Sequence, residues 1–125
     1  MNQILSKSYS IQDGERNLLS FDDIIFCPRD DDGYGVRIRF ANQFGVSIQC
    51  GADNYSTNNT ERQMGIPFER FTHFELALFD FSEEKEGSLI YAPNHEDVEA
   101  FLSKAEIWNR ILQVKAGLLN RYEVS

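Results

Sequence analysis

Hydrophobic and polar residues alternate most strictly over residues 35–51, GVRIRFANQFGVSIQCG. Val36, Ile38 and Phe40 alternate with Arg37 and Arg39; after a short break, Val46, Ile48 and Cys50 alternate with Ser47 and Gln49. Successive side chains on a strand point to opposite faces, so each arm has one apolar and one polar face. The pattern predicts a hairpin with its turn at 41–44, where Asn42 suits left-handed backbone angles. One face would sit on a core and the other would be wet or partnered.

Upstream, Ile24, Ile25, Phe26 and Cys27 read as a short buried strand ended by Pro28. Residues 1–19 have no clear period and read as an N-terminal arm or strand, with a turn at 12–15. Downstream, FERFTHFELALFDF over 68–81 is partly apolar on both faces from His73 onward, which fits a central strand. The charged SEEKEG at 82–87 is a turn into a partner strand at 88–91, so 73–91 predicts a second hairpin. Pro93 ends that strand.

The period then changes. Asn94 followed by Asp97 marks a helix start, and Val98, Phe101 and Leu102 give it a short apolar stripe over about 95–102. Ser103 with Glu106 forms a capping box that opens a longer helix from 104 to about 116. On this helix Ile107, Ile111, Val114 and Leu118 form one row, widened by Trp108, Leu112 and Leu119. That face is broader than one sheet contact requires, so the helix fills a deep groove or meets a second chain. Gly117 marks its end.

Together these elements predict an α+β fold. It has an antiparallel sheet of about four or five strands, with one or two C-terminal helices packed on one face. At 125 residues the chain is expected to be a single domain: an arm at 1–19, a sheet at 20–91 and a helical part at 94–119. Ten Phe and five Tyr argue for a packed core rather than disorder.

Charge changes the picture of partners. The net charge is −8, which disfavours direct binding of nucleic acid. From Asp80 to Glu106 there are eight acids and two bases, so this stretch alone carries −6. Such a stretch solubilises, and it can also steer a basic partner. The polar loop at 52–67 is long for a compact domain, and long loops are often functional. The candidate partner-binding residues are therefore Tyr55 and Met64 from that loop and Glu83, Glu84, Glu86, Glu96, Asp97 and Glu99 from the acidic stretch.

Candidate chemistry adds little. The consecutive acids at 30–32 lack the alternating ligand spacing of a calcium loop. Cys27 and Cys50, 23 residues apart, have no zinc spacing, and whether they pair stays open. No H-E-x-x-H, G-x-S-x-G or phosphate-binding loop occurs. His73 and Glu75 would share a strand face, which makes His73 the candidate base of a small hydrolase. No catalytic set, cofactor or metal is expected. Neither a leader nor a membrane span is expected, and the default location is the cytoplasm.

The run FANQFGVSIQCG resembles the F-P-N-G-Y-G-V-S-V segment of small, uncharacterised proteins encoded by bacteriophages and prophages. HFELALFD, LIYAP and DVEAFLS follow in an order similar to that family, so the resemblance spans about residues 21–116. Here Gln43-Phe44 replaces Gly-Tyr in the turn. The resemblance implies a viral accessory protein in the host cytoplasm with no assigned activity, so it adds no site residues. The expected function is non-enzymatic binding of a host protein with a basic surface, as an anti-CRISPR-like inhibitor of host defence or of a nucleic-acid-binding complex. The alternatives are a structural or assembly protein that forms a homodimer or larger homo-oligomer through the C-terminal helix, and the His73 hydrolase.

Overall fold

A computed structural model of the protein describes residues 11–15, 18–28, 33–51, 67–90 and 98–119. These residues form an α+β fold: one mixed, mostly antiparallel sheet of seven strands with a single helix packed on it. The strands are β1 (Ile11–Asp13), β2 (Cys27–Pro28), β3 (Tyr34–Arg39), β4 (Phe44–Cys50), β5 (His73–Asp80), β6 (Ser88–Ile90) and β7 (Glu99–Ser103). The helix is α1 (Lys104–Lys115).

Three long strands, β3-β4-β5, form the middle of the sheet, and each flank is divided between two short strands. On the β3 side, β1 runs parallel to residues 37–39 and β2 antiparallel to residues 34–35. On the β5 side, β6 pairs with residues 78–80 and β7 with residues 73–76, both antiparallel. Short edge strands leave little continuous template for pairing with another chain.

The first expected hairpin forms, with Val36 opposite Ile48 and Ile38 opposite Val46. The backbone angle expected of Asn42 is taken instead by Gln43, at φ 73°. Asn42 acts through its side chain. Its amide donates to the Val114 carbonyl at 3.0 Å and the Lys115 carbonyl at 3.2 Å, and its oxygen accepts the Phe44 N–H at 3.0 Å. The turn is thereby tied to the end of the helix, whose last carbonyls have no partner within the helix.

The apolar face of the sheet is the main core. Val46, Ile48, Cys50, Phe74 and Leu76 are fully buried against Ile107, Ile111 and Val114 of α1. An aromatic group closes one end. Phe74 lies 5.2 Å from Phe21, Phe26 lies 4.6 Å from Phe68, and Tyr34 meets Phe68 edge-on at 5.4 Å. The opposite face is not simply wet. Ala77, Phe79 and Phe81 are buried there as a second cluster with Ile11 and Val98 packed on it, and Ser47 is buried as well.

Two sequence expectations are corrected. Residues 24–27 are not a buried strand. Phe21–Asp23 is a 3-10 turn, Ile24 is buried, Ile25 is exposed, and only Cys27–Pro28 pairs. The Asp23 carboxylate holds this turn by accepting the Leu19 and Ser20 N–H groups, and local bonds of this kind compete with strand formation. The described part of the expected helix at 95–102 is likewise not helical, because β7 occupies it. Strand β7 is bulged: two residues, Ala100 and Phe101, face Glu75 alone. Phe101 takes φ 56° and stands half exposed. Pairing with β5 outweighs a weak local helix signal.

The capping box forms as expected. Ser103 Oγ accepts the Glu106 N–H at 3.2 Å, and Glu106 Oε1 accepts the Ser103 N–H at 2.8 Å. At the far end the Leu118 N–H reaches the Gln113 carbonyl and the Gly117 N–H reaches Val114, with Gly117 at φ 90°. This is a Schellman closure, in which glycine takes the left-handed position without a Cβ penalty. Trp108 is half-buried and Leu112 is exposed, so α1 seats only part of its broad apolar face on the sheet.

Gly45 sits where β4 crosses close to β3. A Cβ there would run into the Ile38 carbonyl oxygen and the Phe81 ring. A clash with backbone cannot be relieved by a rotamer change, so Gly45→Ala is expected to lower unfolding stability by about 2–3 kcal/mol. Urea denaturation monitored by circular dichroism measures this as a lower midpoint with an unchanged slope.

Candidate functional site

Of the eight candidate partner-binding residues, the structure places three together at one exposed tip. Glu83, Glu84 and Glu86 are all exposed on the turn between β5 and β6. Tyr55, Met64, Glu96 and Asp97 lie outside the described residues, as do the acids at 30–32. Glu99 is buried and leaves the surface set.

The acidic tip is an organised turn. The Ser82 N–H donates to Asp80 Oδ1 at 2.8 Å, and the Gly87 N–H closes onto the Glu84 carbonyl at 3.0 Å. Hydrogen bonds from the Ser82 side chain and then its backbone N–H hold the Asp80 carboxyl below its usual pKa. A lowered carboxyl supports the folded turn above the ordinary carboxylate range, and that support fades as pH falls through the lowered value. Beneath the tip, the Phe81 N–H bonds to the Gln43 carbonyl at 2.8 Å, and the Phe79 and Phe81 rings stack at 6.1 Å.

Arg37 completes the support. Its guanidinium lies 4.5 Å over the Phe79 ring, and Nη1 donates to the Glu86 carbonyl at 2.7 Å. A residue assigned by alternation to the polar face of the hairpin thus clamps the base of the acidic turn. Cross-strand placement explains it, since β4 alone separates Arg37 from β5. Sequence reasoning had no means of choosing that pairing partner.

Glu99 has a structural role. Arg110 Nε donates to both of its carboxylate oxygens at 3.0 Å, and Nη2 lies 3.0 Å from Oε2. The remaining guanidinium donors reach Gln113 Oε1 at 3.0 Å, the Leu118 carbonyl at 3.3 Å and the Leu119 carbonyl. One buried arginine therefore binds β7, the last turn of α1 and the chain just after it. Positions 107, 110, 111 and 114 are the buried stripe of the helix. An arginine on that stripe was the signal available in the sequence. A cleft of about 230 Å³ opens beside this pair, bordered by Glu106 and Asn109. Of its charged walls, Glu99 and Arg110 hold each other and Glu106 caps the helix.

His73 is exposed, with Nδ1 3.0 Å from Thr72 Oγ1. Both cysteines are free thiols. They stand on β2 and β4 with β3 between them, about 9–10 Å across two strand spacings, beyond disulfide reach. Among the described residues no group of three or more His, Cys, Asp or Glu side chains could hold a metal. No described helix is long and apolar enough to cross a membrane.

The chain matches no known protein family, no curated protein and no solved structure.

Removing one member of a buried ion pair leaves the other charge uncompensated, at about 3–5 kcal/mol. Glu99→Ala and Arg110→Ala are each expected to destabilise the fold by that amount in urea. The double change Glu99→Ala with Arg110→Ala is expected to be clearly milder than the sum of the two single changes. Additive losses in that comparison would show that the two side chains act separately.

Proposed function

We propose that the protein is a non-enzymatic binding protein that presents its β5–β6 turn to a basic surface on a partner protein. The observation that carries this reading is the clamped acidic tip. Three exposed carboxylates sit on a turn tied down by Arg37, Ser82 and the Gly87 N–H. A tip that is already ordered loses less conformational freedom on binding. Its charge, within a chain of net charge −8, raises the encounter rate with a basic patch.

The resemblance to phage-encoded proteins suggests the setting: a viral accessory protein acting on a host protein in the host cytoplasm. A host complex that grips nucleic acid through basic grooves has the complementary chemistry, and blocking it would serve as counter-defence. A second reading, a homo-oligomer formed through α1, draws on the exposed Leu112 and half-buried Trp108. Light scattering that reports a monomer at high protein concentration would remove that second reading.

The first reading is tested by affinity capture from a bacterial lysate with two baits, the natural chain and the triple variant Glu83→Gln, Glu84→Gln, Glu86→Gln. All three positions are exposed, so the variant is expected to fold normally. The natural bait is expected to hold a basic protein that the variant loses. With that partner purified, the association rate should fall about tenfold in the variant at low salt and converge with the natural chain at high salt. Identical captured proteins with both baits would sink the reading.

A further inference from the structure

The open end of the β1–β3 pair holds a charged feature that the acidic tip does not use. A cleft of about 260 Å³ lies between β1, the end of β3 and the β5–β6 turn, lined by Ile11, Asp13, Arg39 and Lys85. A second hollow of about 320 Å³ shares Arg39 and Asp13 with the first and is also bordered by Glu15 and Gln43. Arg39 lines both.

Most described cations are already engaged. Arg37 is held by Phe79 and Glu86, Lys104 lies over Phe21, Arg110 pairs with Glu99, and Lys115 is 3.5 Å from Glu15. Arg39, Lys85 and Arg70 differ, and of these three only Arg39 and Lys85 share a cleft. Among the described residues none of the three side chains makes a salt bridge or a hydrogen bond. In a chain with 20 acids against 12 bases, carboxylates to pair with are in surplus. Two cations left without one over a shared hollow depart from that expectation.

The carboxylates that share a cleft wall with Arg39 are committed elsewhere, while Lys85 is flanked in sequence by the exposed Glu84 and Glu86. Glu15 accepts the Ala41 N–H at 3.0 Å and meets Lys115, while Asp13 Oδ1 accepts the Glu15 N–H at 2.8 Å. Arg39 is left with a planar fork of donors, the geometry that grips a carboxylate or phosphate through two parallel bonds. Lys85 supplies a second positive charge, and Ile11 a short apolar wall. Asp13 limits the site to one anionic group and to modest affinity.

We propose that this cleft binds a small oxyanion, a carboxylate or phosphate group, held by Arg39 with Lys85. The site does not rest on the acidic-tip reading, because Glu83, Glu84 and Glu86 are no part of its lining, although Lys85 belongs to the same turn.

Amide NMR titration tests it, with inorganic phosphate in one series and succinate in another, ionic strength being held constant with sodium chloride. Saturable shifts are expected at Asp13, Arg39 and Lys85 with at least one of the two anions, and the responding series identifies the oxyanion. Arg39→Gln should weaken binding about tenfold, the loss expected for a charge-assisted hydrogen bond. Lys85→Gln should weaken it less, and Arg70→Gln, an exposed arginine before β5, should leave it unchanged. All three positions are exposed, and an unchanged spectrum outside the cleft establishes that each variant is folded. No saturable shift with either anion, or equal affinity in Arg39→Gln, overturns the proposal.

Discussion

Strand β4 sets the terms for everything around it. It is paired on both sides, with β3 and β5, along nearly its whole length. It is also covered on both faces: Val46, Ile48 and Cys50 are fully buried on one and Ser47 is buried on the other. A strand enclosed in this way requires two covers. The helix with the aromatic group supplies one, and the Phe79–Phe81 cluster supplies the other. The second cover is thinner, and Arg37 extends it by laying a guanidinium over Phe79. A cation with an aliphatic stem can cover apolar surface while its head finds polar partners. Both the tip and the clamp follow from the need to close that second face.

The Arg110–Glu99 pair solves a different problem. A bulged strand gives poor continuity to the ladder, and β7 carries Phe101 in a backbone conformation that costs a non-glycine residue about 1 kcal/mol or more. The strand holds its place because its first residue, Glu99, is anchored in the helix layer by a guanidinium whose donors reach five acceptor atoms. Two of those acceptors are carbonyls beyond the Schellman turn, so the same arginine also fixes the direction of the chain after α1. Buried ion pairs contribute little net stability, yet an arrangement that separates the partners leaves a buried charge uncompensated, which is costly. For a strand whose sequence leans toward helix, that penalty matters more than the gain.

Periodicity made the middle of the fold legible. The 36–50 hairpin, the 73–90 hairpin and the capped helix from 104 are long or strongly patterned, and alternation or capping chemistry specifies each locally. The elements that were misread are short. Residues 24–27 and 98–103 have too few positions for a period to outvote tertiary context, and the partner strand decides them. The parallel β1 pairing was invisible for the same reason, since three residues carry no register information. The acidic tip was legible as composition, because SEEKEG between two strands must be an exposed turn. Its support was not legible, because the Arg37–Glu86 contact joins residues 49 apart in sequence. Glu99 was misassigned because charge alone does not distinguish a surface carboxylate from a buried one awaiting an arginine.

The two proposed sites meet at one residue. Lys85 lies within the acidic turn, between Glu84 and Glu86, and it also borders the cleft of Arg39. With the cleft empty, Lys85 offsets part of the negative potential of the tip. An oxyanion bound between Arg39 and Lys85 would cancel that offset within about 10 Å, a distance over which salt screening is incomplete. The tip would then present its three carboxylates at fuller strength to a basic surface. If both proposed sites are occupied as argued, anion binding in the cleft and attraction of a basic partner would have the same sign, and by linkage each would favour the other. That coupling needs no movement of the backbone, which suits a turn already tied to the rest of the sheet.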